Sequence, residues 1–294
     1  MRKLLRAAWR LITIPFRIIF WPLQQATRGL SQVFSKVRRF FSEEPEEAPL
    51  PEAVAKVIQE PQGLLVHIEA LRKHLLRAVI VLAITTAISF AYTEQIVNWL
   101  AQPVGGLSNL TAIGVTEQIS IFMKVALLAG FALALPYIAL ELWLFAAPGL
   151  SRKERLYGLL AIPAVGVFFV GGMAFAYFVM LPAALPFLTR ILDIPTILTP
   201  TSILSFSVGL MFWVGVAFEF PLVIFVLAGM GVVNGRMLAD QWRLAVVIIA
   251  IAAALITPTP DPVNMALVMG PMIWLYTLSI GLAFIARRSQ KPSN

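Results

Sequence analysis

An all-α membrane protein that crosses the bilayer six times, with both ends of the chain on one side, is the fold class this sequence predicts. Three observations carry the prediction. The 294 residues are 59% hydrophobic and 13% charged, with a mean hydropathy of +0.85, whereas a water-soluble chain is about one-quarter charged. Apolar runs close to the ~20 residues needed to cross the hydrocarbon recur after residue 62. Their Leu, Ile, Ala, Phe and Gly do not alternate with polar residues, which excludes a β-barrel. Finally, 21 of the 23 Lys and Arg residues fall before residue 78, at Arg152, Lys153 and Arg155, at Arg236 and Arg243, or from Arg287 onward. Cationic connections stay in the cytoplasm, so an even number of crossings separates two cytoplasmic termini.

Taken in order, residues 1–41 place Arg2, Arg6 and Arg10 on one helical face and Leu4, Leu5, Ala8, Leu11 and Ile12 on the other. Their most apolar run, 11–22, holds Arg17 and two prolines and is too short to span, so this segment reads as a basic amphipathic helix lying on the membrane. Nine basic residues among the first 40, next to Trp and Phe, point to membrane lipids as a partner and away from nucleic acid. Residues 42–61 carry six Glu among four Pro and read as an acidic linker that buries no core. Six apolar segments follow within 62–288, at 75–92, 119–147, 156–181, 203–232, 242–257 and 263–286, and residues 289–294 form a cytoplasmic tail. Two proline- and glycine-bearing connections, 93–118 and 182–202, read as structured caps on the opposite side. The apolar core of the fifth segment, Leu244 to Ile256, is only 13 residues, and Gly270-Pro271 is expected to break the sixth. Short or broken helices here would thin the bilayer.

The residues also exclude several chemistries. The chain has no Cys and two His, His67 and His74, so thiolate chemistry is ruled out and a metal site or cofactor is not expected. There is no HExxH, no GxSxG and no phosphate-binding GxxxxGK[ST], which argues against an enzyme, whether protease or nucleotide hydrolase.

Five strings in order carry a resemblance: HIEALRKHLL at 67–76, LFAAPGLSRKER at 144–155, GGMAFAYFVMLPAALPFL at 171–188, VAFEFPLVIFVL at 216–227 and ITPTPDP at 256–262. Together they resemble the TatC family of the twin-arginine protein translocase over about residues 64–286; residues before 62 lie outside the likeness. The resemblance implies a glove-shaped six-helix receptor in the cytoplasmic (inner) membrane that takes folded cargo carrying a twin-arginine signal peptide. It further implies TatA- and TatB-type single-span subunits as partners, self-association in a multi-copy complex, and transport driven by the proton-motive force. Carboxylates suit the task, because a guanidinium presents a planar fork of donors that a carboxylate meets with two charge-assisted bonds.

Glu154 matches the family's signal-binding loop acid; it also closes a Ser151-x-x-Glu154 capping box. The second acid is displaced: Ala70 stands at its usual position and Glu69 one residue earlier, a turn of about 100° around the helix. Glu69 is therefore a signal-binding candidate together with Arg72, or else a solvated i, i+4 partner of Lys73. Glu219, within an apolar run, matches an intramembrane acid that meets a partner helix; a protonated acid bonded within the protein is the alternative. Glu141 stands where the family usually has Gln and is expected to reach towards Arg152 or Arg155. Met265 stands at another usual Gln. Pro103, Phe145, Pro148, Gly149 and Leu150 are read as architectural, as are Asp261 and Pro262, an N-cap followed by a first-turn proline. Arg38-Arg39-Phe40-Phe41 is rejected as an export signal because an acidic segment follows it. Two functional alternatives stay open at this point. One is a divergent paralogue with altered signal recognition; the other is a proton-coupled secondary transporter using Glu141 and Glu219.

Overall fold

The structure, a computed structural model, describes residues 61–150, 152–190, 197–257 and 262–288. The expected surface helix (1–41), acidic linker (42–60), tail (289–294) and Asp261 lie outside the described residues. Every regular element within them is helical. Helix α1 (Pro61–Phe90) opens with a proline, where its missing N–H costs nothing. A short α2 (Thr93–Leu100) and two 3-10 turns follow, then α3 (Glu117–Ala146) and α4 (Arg152–Phe175). A π-helical turn, Ala176–Met180, runs into α5 (Leu181–Arg190). The chain continues through α6 (Pro200–Phe218), α7 (Phe220–Gly229), the short α8 (Gly235–Asp240), α9 (Trp242–Ile256) and α10 (Pro262–Arg288).

Among the described residues, five helical stretches are long and apolar enough to cross a membrane: His67–Phe90, Glu117–Ala146, Gly158–Thr189, Pro200–Gly229 and Pro262–Ala286. The sixth apolar helix, α9, has 15 residues, about 22 Å at 1.5 Å per residue and well short of the ~30 Å hydrocarbon. Thus the fifth segment is short, as expected, but the sixth is not broken: α10 runs straight through Gly270-Pro271. Proline removes one N–H donor yet holds φ near the helical value, so the helix loses one bond without ending. The interruption falls instead in the fourth segment, where Glu219 separates α6 from α7. There Pro221 has no N–H to offer the carbonyl of Ala217. The third helix also outlasts its expected end at 181, continuing through Pro182 and Pro186 to Arg190.

Packing follows from small residues at crossings. At Gly130 a Cβ would lie 2.5 Å from the Thr86 Cα, so only glycine lets α3 meet α1 this closely. Thr85 Oγ1 uses the approach, donating to the Gly130 carbonyl at 2.8 Å. Gly172 does the same for α4 against the Gly215 backbone of α6. Around these crossings, Val125, Phe169, Leu204, Met211 and Val214 form the main core, with Phe131, Phe169 and Phe212 meeting edge to face. A smaller cluster, Ile224, Ala228, Ala283 and Ala286, joins α7 to α10.

Candidate functional site

Among the described residues, two places that gather polar groups hold sequence-predicted site residues. The first lies where α1 meets the end of α3 and the loop after it. Along α1, Ala70 and His74 are half-buried and Ala78 is buried, so these i, i+4, i+8 positions turn towards α3, while Glu69, Arg72, Lys73 and Arg77 are exposed. The one-residue displacement of the acid has the consequence that helix geometry demands: Glu69 points away from the seam and pairs with Lys73 at 2.8 Å.

Within the seam, Glu141 is almost fully buried at 3% exposure. It was expected to reach for loop arginines. Instead its carboxylate is held by His74 Nδ1 and by the Tyr137 hydroxyl, which donates to it, each at 2.6 Å, with Arg77 Nη1 3.8 Å away. Tyr137 sits one turn before Glu141 and His74 directly across the seam, so both are closer than the loop. Phe145, one turn further on, lies tilted against His67 with ring centroids 4.6 Å apart and meets His74 edge-on at 6.2 Å. The two histidines, seven residues apart on one face of α1, thus grip the end of α3.

Arg155 shapes the loop itself. It is buried, and its Nε donates to the carbonyls of Ala147 at 2.8 Å and Leu150 at 2.9 Å, with Nη2 3.5 Å from that of Pro148. Pro148 and Gly149 belong to the 3-10 turn Ala147–Gly149, and Leu150 is buried behind it. Glu154 is the third residue of α4, one position before this clamp. Its side chain and Ser151, and so the capping-box alternative, lie outside the described residues. Lysine carries one nitrogen and cannot occupy both the Nε and the Nη2 positions, so Arg155→Lys is expected to lose about 1.5–3 kcal/mol and loosen the loop. Unfolding midpoints together with protease cleavage between residues 147 and 155 measure both effects.

The second place surrounds Glu219 at the break between α6 and α7. It lines a cavity of about 520 Å³ whose walls are largely apolar, among them Val223, Leu244, Ile248 and Tyr276. Its Oε1 is buried without a hydrogen-bond partner. An unused acceptor in an apolar wall suits one polar group carried on an otherwise apolar helix. Met265 packs against the main core, and Pro262 is exposed as the first residue of α10. At the end of the bundle away from the α1–α3 seam, Pro103 sits in a 3-10 turn ahead of Gly105 and Gly106, whose φ of 87° and 94° favour glycine. Pro103 shares a groove with Trp99, stacked on Tyr177 at 3.8 Å.

The sequence put Glu69, Arg72 and Glu154 in one group and Glu141 and Glu219 in another. The structure sets Glu141 in the α1–α3 seam and Glu219 in a separate cavity. Sequence reasoning missed His74, Tyr137 and Arg155. The i, i+4 spacing of Tyr137 and Glu141 was a usable signal; a histidine 67 residues away was not.

A family model described as TatC: Sec-independent protein translocase protein (TatC) matches residues 66–271. The chain is 36% identical over 252 residues to the Sec-independent protein translocase protein TatC of Deinococcus radiodurans, covering 83% of this chain and 93% of that one. It is 35% identical over 227 residues to the protein of the same name from Carboxydothermus hydrogenoformans, covering 76% and 93%. Among solved structures it is similar to a crystal structure of the twin arginine translocase receptor TatC, with a TM-score of 0.65 at 32% identity over 75% of this chain and 99% of that one. A second crystal structure of that receptor, in DDM, gives 0.67 at 30% identity, covering 74% and 99%.

Proposed function

The chain belongs to the TatC family of Sec-independent protein translocase proteins, and on that premise we propose that it is the signal-peptide receptor of a twin-arginine translocase in the cytoplasmic membrane. Its role is protein transport, and it is not an enzyme. The observation that carries the receptor reading is the loop after α3, folded around the buried Arg155 and braced by the His67–Phe145–His74 grip. This arrangement braces the loop that leads into α4. A carboxylate at the start of α4 suits the guanidinium fork of an arginine in the signal, which it meets with two charge-assisted bonds.

Twin-arginine signal peptides dock at this face, with Glu154 as first acceptor and Glu69 released from Lys73 as the second; Arg72 flanks them. The basic loops set this face in the cytoplasm, with both termini there and α9 completing six crossings. Glu219 and its cavity receive the transmembrane helix of a TatA- or TatB-type subunit, and several copies assemble around folded cargo. The proton-motive force drives transport. Glu154→Gln keeps shape and removes charge. It is expected to abolish export of a twin-arginine reporter while the protein remains inserted at parental levels; export at the parental rate would remove Glu154 from the role. A proton-coupled solute transporter predicts solute flux into proteoliposomes holding the chain alone, and the receptor reading predicts none.

A further inference from the structure

Lys124 has no part in the function described so far. It is one of two cations, with Arg190, that stand apart from the basic side of the chain. It lies seven residues into α3, a helix of 30 residues, about 45 Å long. Centring ~30 Å of hydrocarbon on that length leaves about 7 Å outside at each end, so Lys124, about 10 Å from the start, lies just below the boundary. Its ammonium is exposed and donates to Ser205 Oγ of α6 at 2.9 Å, and among the described residues it has no acidic partner. An ammonium at this depth reaches the headgroup region, where an anion is a favourable partner.

Ser205 also lines a groove of about 560 Å³. Thr201, Ser205, Gly209 and Trp213 line it at four-residue intervals, and so form one face of α6. The polarity along that face is graded. Thr201 Oγ1 is buried with no hydrogen-bond partner, next to the Lys124–Ser205 pair. Gly209 follows, where a Cβ would meet nothing within 4 Å. Trp213 comes last, about half exposed and ~12 Å deeper than Ser205. Leu185 and Ile197 form the facing wall, and Ile256, the last residue of the short α9, closes the groove. Because α9 spans only about 22 Å, lipid headgroups beside its end are drawn inward, towards the level of Lys124.

We propose that this groove binds an anionic phospholipid, its phosphate on Lys124 and the Ser205 and Thr201 hydroxyls and one acyl chain lying over Gly209 to Trp213. On the orientation proposed above, the lipid belongs to the extracytoplasmic leaflet. The charge at the polar end selects the headgroup, and the notch at Gly209 admits the chain. A carboxylate on a partner helix would also satisfy an ammonium. Lys124, however, lies near the boundary where phosphates sit, and the groove continues past Ser205 along Gly209 to Trp213.

The test uses the full chain in detergent, titrated with phosphatidylglycerol and followed by native mass spectrometry. One lipid is expected to be retained, more tightly than diacylglycerol or glycerol phosphate, which each lack one half of the ligand. Lys124→Gln, which can still bond Ser205, is expected to weaken retention about tenfold, and Gly209→Leu to weaken it comparably by filling the channel. Phosphatidylglycerol brominated in mid-chain should quench Trp213 fluorescence in the parent, and the quenched signal should disappear in Trp213→Phe. Equal retention by the parent and Lys124→Gln overturns the proposal. So does glycerol phosphate binding as tightly as the lipid, or a Lys124→Gln variant that keeps its lipid but loses crosslinking to a single-span subunit.

Discussion

Gly130→Val is expected to cost about 3 kcal/mol or more and to leave little folded protein in the membrane. A Cβ at this position would stand 2.4 Å from Thr86 Oγ1, 2.5 Å from its Cα and 2.7 Å from its N. Two of these are backbone atoms of a helix that has no neighbouring space to retreat into without separating from α3. Separation would also break the Thr85 Oγ1 bond to the Gly130 carbonyl and open the α1–α3 seam that holds Glu141. Within a bilayer, water is not at hand to satisfy the freed groups. Gly171→Ala is the matched control, because a Cβ there meets nothing within 4 Å. Unfolding midpoints in detergent and yields of inserted protein measure the pair. A Gly130→Val variant as stable as Gly171→Ala would mean that α1 and α3 do not approach at this point.

Glu141→Ala comes next in size, at about 2–4 kcal/mol, because the lost bonds involve a charged group and their partners stay behind. His74 and Tyr137 would each lose a 2.6 Å partner across the same carboxylate. The cost stays below that of a fully enclosed pair because the His74 side chain is 21% exposed and water can reach it. Glu141→Gln, the residue that the family usually has, retains an acceptor for Tyr137 and can still bond a neutral imidazole, so a loss of about 1 kcal/mol is expected. The order parent, Gln, Ala in unfolding midpoint is the expected result. Equal midpoints for the parent and Gln would show that the charge on Glu141 contributes nothing. Since the seam positions the loop that leads to α4, Glu141→Ala is also expected to weaken binding of a twin-arginine peptide; Glu141→Gln should bind nearly as the parent does.

Much of this protein was legible before folding was considered. Hydropathy and charge placement are properties of successive residues, and they sufficed for an all-helical membrane chain with a short fifth helix. Five ordered strings sufficed for the family. The errors concern helix ends and distant partners. Gly270-Pro271 looked like a helix break because proline is a local signal, yet α10 continues there and the break comes at Glu219, before Pro221. Glu141 looked like a residue reaching for nearby loop arginines, whereas its partner is a histidine 67 residues earlier. His74 itself was noticed only as too few to bind zinc.

The sequence alone therefore determined which stretches leave water, because transfer of an apolar segment to hydrocarbon depends on its own composition and length. It also determined that Glu69 presents its carboxylate about 100° around the helix from position 70, because the turn per residue is fixed by the helix. Only the tertiary structure decided which buried polar groups meet: Glu141 with His74 and Tyr137, Arg155 with its loop carbonyls, Lys124 with Ser205. In a medium without water each such group must find its partner inside the protein. Which partner it finds depends on helix crossings set by glycines such as Gly130 and Gly172, distances that no local pattern encodes.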